Sequence, residues 1–203
     1  MARNGARTRE RIIDAAAGVL TDLGLARATT KEIARAAGVS EATLYKHFSG
    51  KEEMFVRVLT DRLPGFAATV LDAPERAEER AVAENLTEIA RAAVRFYRQA
   101  FPMSASLFLE RSLLQRHRTA MRELGTGPQR PGLRLAGYLH AERDRGRVAA
   151  HADPELAAAL LLGACFQLGF LTAYEEAELD DAELDAFAAG LVDTLMPGLT
   201  PGG

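Results

Sequence analysis

Residues 40–51 read Ser-Glu-Ala-Thr-Leu-Tyr-Lys-His-Phe-Ser-Gly-Lys, and four of them carry donor chemistry at close spacing. Tyr45, Lys46, His47 and Lys51 supply a phenol, two ammonium groups and an imidazole. Hydroxyl and cationic side chains of this kind hydrogen-bond phosphate oxygens. Thr29, Thr30, Ser40 and Ser49 extend the set, because each stands where a helix can begin and present its free N–H groups to an anion. Ala42 and Thr43 are small enough to let a backbone approach base edges, with methyl groups that suit thymine. Upstream, Arg3, Arg7 and Arg9 could form a basic arm along a nucleic-acid backbone or in its minor groove. Two of these residues have plainer uses as well. His47 could be a structural ring beside Phe48, and Glu41 could simply favour the N-terminus of its own helix.

Charge follows the same division. The chain has 203 residues and a net charge of −3, which as an average argues against a nucleic-acid binder. Residues 1–51 nevertheless hold nine Lys/Arg against five Asp/Glu, a balance of +4, while the remainder holds sixteen against twenty-three, or −7. A basic head on an acidic body calls for an anionic partner at the head alone.

Catalytic chemistry finds little support. No Ser or Cys nucleophile sits in a suggestive context, and there is no phosphate loop, dinucleotide fingerprint or useful histidine–carboxylate pair, so we expect no enzyme and no cofactor. His117, His140 and His151 lack metal-ligand spacing, and no metal is assigned. The single cysteine, Cys165, lies in an apolar run and reads as a small buried hydrophobe. With no intramolecular disulfide possible and no signal-peptide core at the N-terminus, a cytoplasmic protein is expected. Residues 156–174 carry no charge and approach membrane-spanning length, yet acidic residues bracket them, so a helix buried on all sides by protein is the better reading.

The elements that must position the donors are all helical in period. Ala and Leu dominate while β-branched and aromatic residues are sparse, which favours an all-α fold. A first helix is expected from about residue 7 to 23, capped by Gly24. Thr29 and Glu32 form a capping box that opens a short helix, which Gly38 stops. Ser40 then caps a helix from Glu41 to Phe48, and Ser49 with Glu52 forms a second capping box opening a longer helix toward Leu63. Two short helices joined by Ala37-Gly38-Val39-Ser40 make a helix-turn-helix over 29–48, with Leu44 and Phe48 facing inward. Pro64, Gly65 and the polar stretch 72–79 mark a boundary, giving a three-helix head over 6–66 and a helical body over 67–203.

In the body, helices are expected over 78–100, from Pro102 to Leu124, over 133–145 after a loop at 125–132, over 154–175, and through Leu184 to Leu195. Phe96, Met103, Phe108, Met121, Phe166 and Phe170 supply the aromatic and Met surface that a pocket for a small apolar or amphipathic ligand needs. Taken singly, each reads first as ordinary core. Arg116, His117, Arg118 and Arg122 form a basic cluster that reads as a solvated face. Gly163, Ala164 and Gly169 permit close helix approach, so Gly163, Ala164, Gln167, Phe170 and Leu171 are candidates for a dimer interface.

The stretch TTKEIARAAGVSEATLYKHFSGKEEMF resembles the DNA-binding segment of the tetracycline-repressor (TetR) family of bacterial regulators. Thr29, Thr30, Ile33, Ala34, Ala37, Gly38, Val39, Ser40, Thr43, Leu44, Tyr45, His47, Phe48, Lys51 and Glu52 carry the match. It covers residues 6–66. Leu20 and Leu25 stand where aromatic residues are common in the family, a departure that touches packing. The resemblance implies a homodimer that binds a palindromic operator, with C-terminal helices that take a small molecule and pair across a four-helix interface. Thr30, Tyr45, His47 and Lys51 would then contact phosphates, and Glu41, Ala42, Thr43 and Lys46 would read bases. A ligand-released repressor is the expected function. The alternative is an architectural or occlusion protein that uses the same head without a small-molecule switch.

Overall fold

The structure is a computed structural model that describes residues 2–61, 69 and 80–201. Among them are nine α-helices: α1 (Ala2–Arg27), α2 (Thr30–Ala36), α3 (Glu41–Tyr45), α4 (Lys51–Asp61), α5 (Val82–Ser104), α6 (Arg111–Glu123), α7 (Arg130–Asp144), α8 (Pro154–Tyr174) and α9 (Asp181–Leu195). Short 3₁₀ turns follow α5 at Ala105–Phe108 and α9 at Met196–Gly198. The protein is all-α.

The chain divides into two compact units, Met1–Leu63 with Gln99–Gly127 and Pro64–Arg98 with Pro128–Gly203. The first therefore gathers α6 to the head. Its core joins Ile12, Leu20, Ile33, Leu44, Phe48 and Phe55 to Met103, Leu107 and Leu113. The expected boundary at Pro64–Gly65 and the polar stretch 72–79 lie outside the described residues.

Several helices differ in extent from their sequence pattern. α1 starts at Ala2, so Arg7 and Arg9 ride on a helix and no extended arm forms there. Arg9 lies over the Phe48 ring, 5.0 Å from its centroid, which fixes it to the head by a cation–π contact. α3 is shorter than expected and ends at Tyr45. Pro102 does not begin a helix but lies inside the last turn of α5. Ser104 Oγ donates to the Ala100 and Phe101 carbonyls at 2.8 and 3.2 Å there, next to the proline that lacks an N–H. α7 begins at Arg130, inside the expected loop, with a proline at its start.

In the second unit, α5, α7, α8 and α9 enclose a core that includes Leu86, Ile89, Leu139, Leu161, Cys165, Ala188 and Val192. Arg91 pairs with Asp185, Arg95 Nη2 with Asp181 at 2.6 Å, and Arg98 Nη2 donates to the Ala177 carbonyl at 3.1 Å. These arginines fall four and three residues apart, so one stripe of α5 meets α9 and the turn before it. The fully buried Glu142 carboxylate meets Arg145 and Arg147, which pins the corner after α7. Gly169 belongs to this core and not to a free surface. A Cβ there would lie 2.8 Å from Tyr97 Cβ and 2.9 Å from the Arg98 nitrogen, so only glycine lets α8 and α5 pack this closely.

α8 is long and apolar enough to cross a bilayer by length and composition. Contrary to expectation it is not buried on all sides. Leu156, Leu160, Phe166, Leu171 and Tyr174 are exposed along it, while Ala157, Ala158, Leu161, Leu162 and Cys165 face the core. Burial pushes the Cys165 thiol up to about 12, so it stays a protonated thiol at neutral pH.

Candidate nucleic-acid interface

The helix-turn-helix is set by local chemistry. Thr29 Oγ1 accepts from the Glu32 N–H at 3.2 Å, and Glu32 Oε2 accepts from the Thr29 N–H at 3.0 Å, which completes the capping box of α2. The hydrogen bond from Thr29 also holds the Glu32 carboxyl below its ordinary range. Gly38 adopts φ 64°, a left-handed conformation that ends the helix without steric cost. The chain then folds back, and the Val39 N–H reaches the Ala34 carbonyl at 3.0 Å. Ser40 Oγ accepts from the Thr43 N–H at 3.1 Å and starts α3. Leu44 and Phe48 are buried against Ile33, Ala34 and Ala37, while Val39 packs at the edge of the same cluster.

What remains outward is a mixed donor face. Ala42 and Tyr45 are exposed on α3, Lys46 just after it, and Lys31 and Arg35 on α2. The Thr30 hydroxyl donates to Glu41 Oε2 at 3.1 Å and lies 3.2 Å from the Tyr45 hydroxyl, tying the first turn of α2 to α3. A methyl group added at Gly5 would lie 4.0 Å from His47 Cε1, so the start of α1 flanks His47.

Four residues expected to contact DNA already have hydrogen-bond partners in the head. The Lys51 ammonium donates to the Leu25, Ala26 and Ala28 carbonyls at 2.8, 3.1 and 2.9 Å. Its three hydrogens close off the C-terminal end of α1, where carbonyls have no helical partner, and none is left for a phosphate. The Thr29 hydroxyl donates within its capping box, to Glu32 at 2.7 Å. Ser40 Oγ lies 2.9 Å from Thr43 Oγ1, so both hydroxyls serve the start of α3.

The expected Ser49–Glu52 capping box does not form, because Ser49 turns its donors to Glu53. Glu53 Oε2 accepts from the Ser49 N–H at 2.7 Å and the Ser49 hydroxyl at 2.9 Å. Glu52 instead accepts from Arg116 Nε at 2.7 Å, joining α4 to α6 and raising the Arg116 pKa. Beside that pair, His117 is buried with its ring 5.3 Å from Phe55 and Nδ1 unpartnered. Burial lowers its pKa from 6.5. Arg122 turns to the Arg118 carbonyl, so the basic cluster on α6 does not converge on one point. Neither the Lys51 nor the Arg116 contact has a signal in the sequence, because the partners lie 23–26 and 64 residues away.

The six ligand-pocket candidates divide between the units. In the first, Met103 is core, Met121 is half-buried and Phe108 is 80% exposed. In the second, Phe96 and Phe166 both meet the Tyr97 ring, at 5.4 and 5.3 Å, and Phe170 stacks on Tyr174 at 6.0 Å. Burial pushes Tyr97 up to about 12. Of the dimer candidates on α8, Gly163, Gln167 and Leu171 are exposed and Ala164 and Phe170 half-buried.

With this geometry in place, the comparison with known proteins is direct. The profile of the tetR family of bacterial regulatory proteins matches residues 12–58, and that of the AefR-like transcriptional repressor C-terminal domain matches residues 84–197. The chain belongs to the TetR family. Its helix-turn-helix lies within the segment that this family's model matches. The HTH-type transcriptional regulator SrpR of Pseudomonas putida is 49% identical over 55 residues, 27% of this chain and 26% of SrpR. The match thus spans about a quarter of that relative's length. A TetR-family regulator from Mesorhizobium loti superposes with a TM-score of 0.75 at 23% identity, covering 97% of this chain and 98% of that one. FadR from Bacillus subtilis, solved with stearoyl-CoA, superposes with a TM-score of 0.66 at 20% identity over 93% and 98% of the two chains. At these identities the superpositions establish a shared fold.

Proposed function

We propose that this TetR-family protein is a homodimeric, cytoplasmic repressor that binds a palindromic operator and is released from it by a small apolar or amphipathic ligand. The reading rests first on the face where half-buried Thr30 meets Tyr45, with Ala42 and Lys46 exposed beside them. Thr30, Tyr45 and His47 contact phosphates, and Glu41, Ala42, Thr43 and Lys46 approach base edges in the major groove. Thr29, Ser40 and Lys51 act one step back, holding α2, α3 and the end of α1 in place. Two copies put two heads in successive major grooves, about one helical turn apart. Repression follows from occupying promoter DNA.

The exposed apolar face of α8 supports pairing of two copies. Leu156, Leu160, Leu171 and Tyr174 are exposed on the same helix as Gly163, where an added Cβ would meet nothing within 4 Å. An apolar helix face of this length is costly to leave in water, and a glycine on it allows close approach of a second helix. Phe96, Phe166 and Phe170 supply rings for the ligand, with Phe108 and Met121 as further candidates. The match of residues 84–197 to a repressor's C-terminal domain favours this reading over an architectural protein without an effector.

Selection of bound duplexes from a random pool tests the proposal. A palindrome should emerge, and the complex formed on it should dissociate as a candidate ligand is added. Stearoyl-CoA is the first probe, because the FadR relative was solved with it. No enriched sequence would contradict the regulator's sequence specificity, and a selected sequence without two-fold symmetry would contradict the dimer.

A further inference from the structure

Glu41 lies among the donors that the proposed DNA face needs. The Thr30 hydrogen goes to the Glu41 carboxylate at 3.1 Å, so the contact of 3.2 Å between the two hydroxyls is filled by the Tyr45 hydrogen. Tyr45 donates to Thr30, and Thr30 donates to Glu41. Both hydrogens are therefore aimed along a chain that ends on an acid of the same molecule. A phosphate that takes them must displace a group of its own charge. Glu41 is exposed at the start of α3, next to Ala42, where a carboxylate can reach the major groove. There the cytosine N4 amino group is the donor a carboxylate accepts from.

We propose that Glu41 is a specificity-determining residue that works by self-competition. In the free protein it holds the Thr30–Tyr45 donors in the place of phosphate. On DNA it gives them up favourably only where a cytosine amino group receives the carboxylate. At other sequences the displaced charge sits beside the phosphates without a partner, so binding is weakened there. A residue that lowers affinity thus widens the ratio between operator and random sites, which decides occupancy among many competitors. The inference rests on the reading of Thr30 and Tyr45 as phosphate donors.

The test uses the full chain and its Glu41→Gln, Thr30→Val and Tyr45→Phe variants, with thermal midpoints measured to check folding. Wild type and Glu41→Gln are each put through random-pool selection. All four are then titrated on the wild-type winner and on a random duplex at several salt concentrations. Wild-type winners should fix a cytosine in each half-site that Glu41→Gln no longer fixes. Glu41→Gln should bind the random duplex about three- to tenfold more tightly, the effect of removing one like charge a few ångströms from a phosphate in water. Its plot of log K against log salt should steepen by up to about one unit. Thr30→Val and Tyr45→Phe should weaken binding to both duplexes. If they do, but Glu41→Gln binds random DNA no more tightly or fixes the same cytosine, the role of Glu41 is overturned and the donor reading stands. If neither hydroxyl variant weakens binding, the donor reading fails and the proposal falls with it.

Discussion

The Lys51 ammonium has three hydrogens and meets three carbonyls at the end of α1, so its charge is spent on the protein and not on a ligand. Lys51→Met should lower stability by about 1–3 kcal/mol, as expected when carbonyls lose a charge-assisted donor. Operator affinity should fall along with it, but the slope of log K against log salt should not change. A phosphate contact would give the reverse pattern, a slope shallower by about one with stability intact. Thermal melts and salt titrations of the same variant distinguish the two. His117 offers a second residue-level check. Its neutral ring is favoured in the folded protein, so its folded pKa lies below the unfolded value of 6.5. Its contribution to stability is therefore full above about pH 6.5 and is lost as pH falls through the lowered folded value. The charge facing it from α4 is Glu52, already bridged by Arg116. His117→Phe should flatten the fall in thermal midpoint between pH 6.5 and 5, measured against wild type by scanning calorimetry. An acid limb as steep as wild type would contradict this. Both residues are legible in sequence as basic and no more, because basicity is a property of the residue while the partner is a property of the fold.

Helix starts were legible wherever the code is local. The Thr29–Glu32 box and the cap at Ser40 form as the sequence spacing requires, since donor and acceptor lie within one turn. The start of α4 shows the limit of that code. The expected partner of Ser49, Glu52, instead accepts from Arg116 on α6, while Ser49 donates to Glu53. Small residues were similarly ambiguous. Gly163 and Gly169 lie on one helix and read alike, yet Gly169 faces α5 and Gly163 faces outward. Gly169→Ala should destabilise the protein, because the added methyl meets Tyr97 Cβ and the Arg98 backbone at under 3 Å. Overpacking of this kind costs about 1–3 kcal/mol, which offsets and exceeds the roughly 1 kcal/mol that alanine gains in a helix. A midpoint of chemical unfolding equal to or above wild type would show that α8 and α5 can move apart without loss.

For the whole molecule, the sequence shows a basic head and an acidic body, and that asymmetry survives as an exposed face on α2 and α3. It did not show that α6 belongs to the same compact unit as the head, since the contacts of α6 with α4 span some 60 residues of sequence. The exposed face of α8 was hidden too, because a helix apolar on all sides gives no sign of which side meets solvent. If that face pairs two copies, Gly163→Leu should raise the dimer dissociation constant by about tenfold or more, equivalent to about 1.4 kcal/mol, while the monomer stays folded. Analytical ultracentrifugation of the variant checks this, and an unchanged dimer would place the interface elsewhere. On the proposed function the head binds duplex DNA through phosphate donors and base contacts together. Its most direct test is the affinity of the full chain for its selected operator and for a random duplex, titrated from 50 to 300 mM salt. Steep, nearly parallel salt dependences are expected, with the operator bound about a thousandfold or more tightly throughout. Salt-insensitive binding, or equal affinity for the two duplexes, would contradict it.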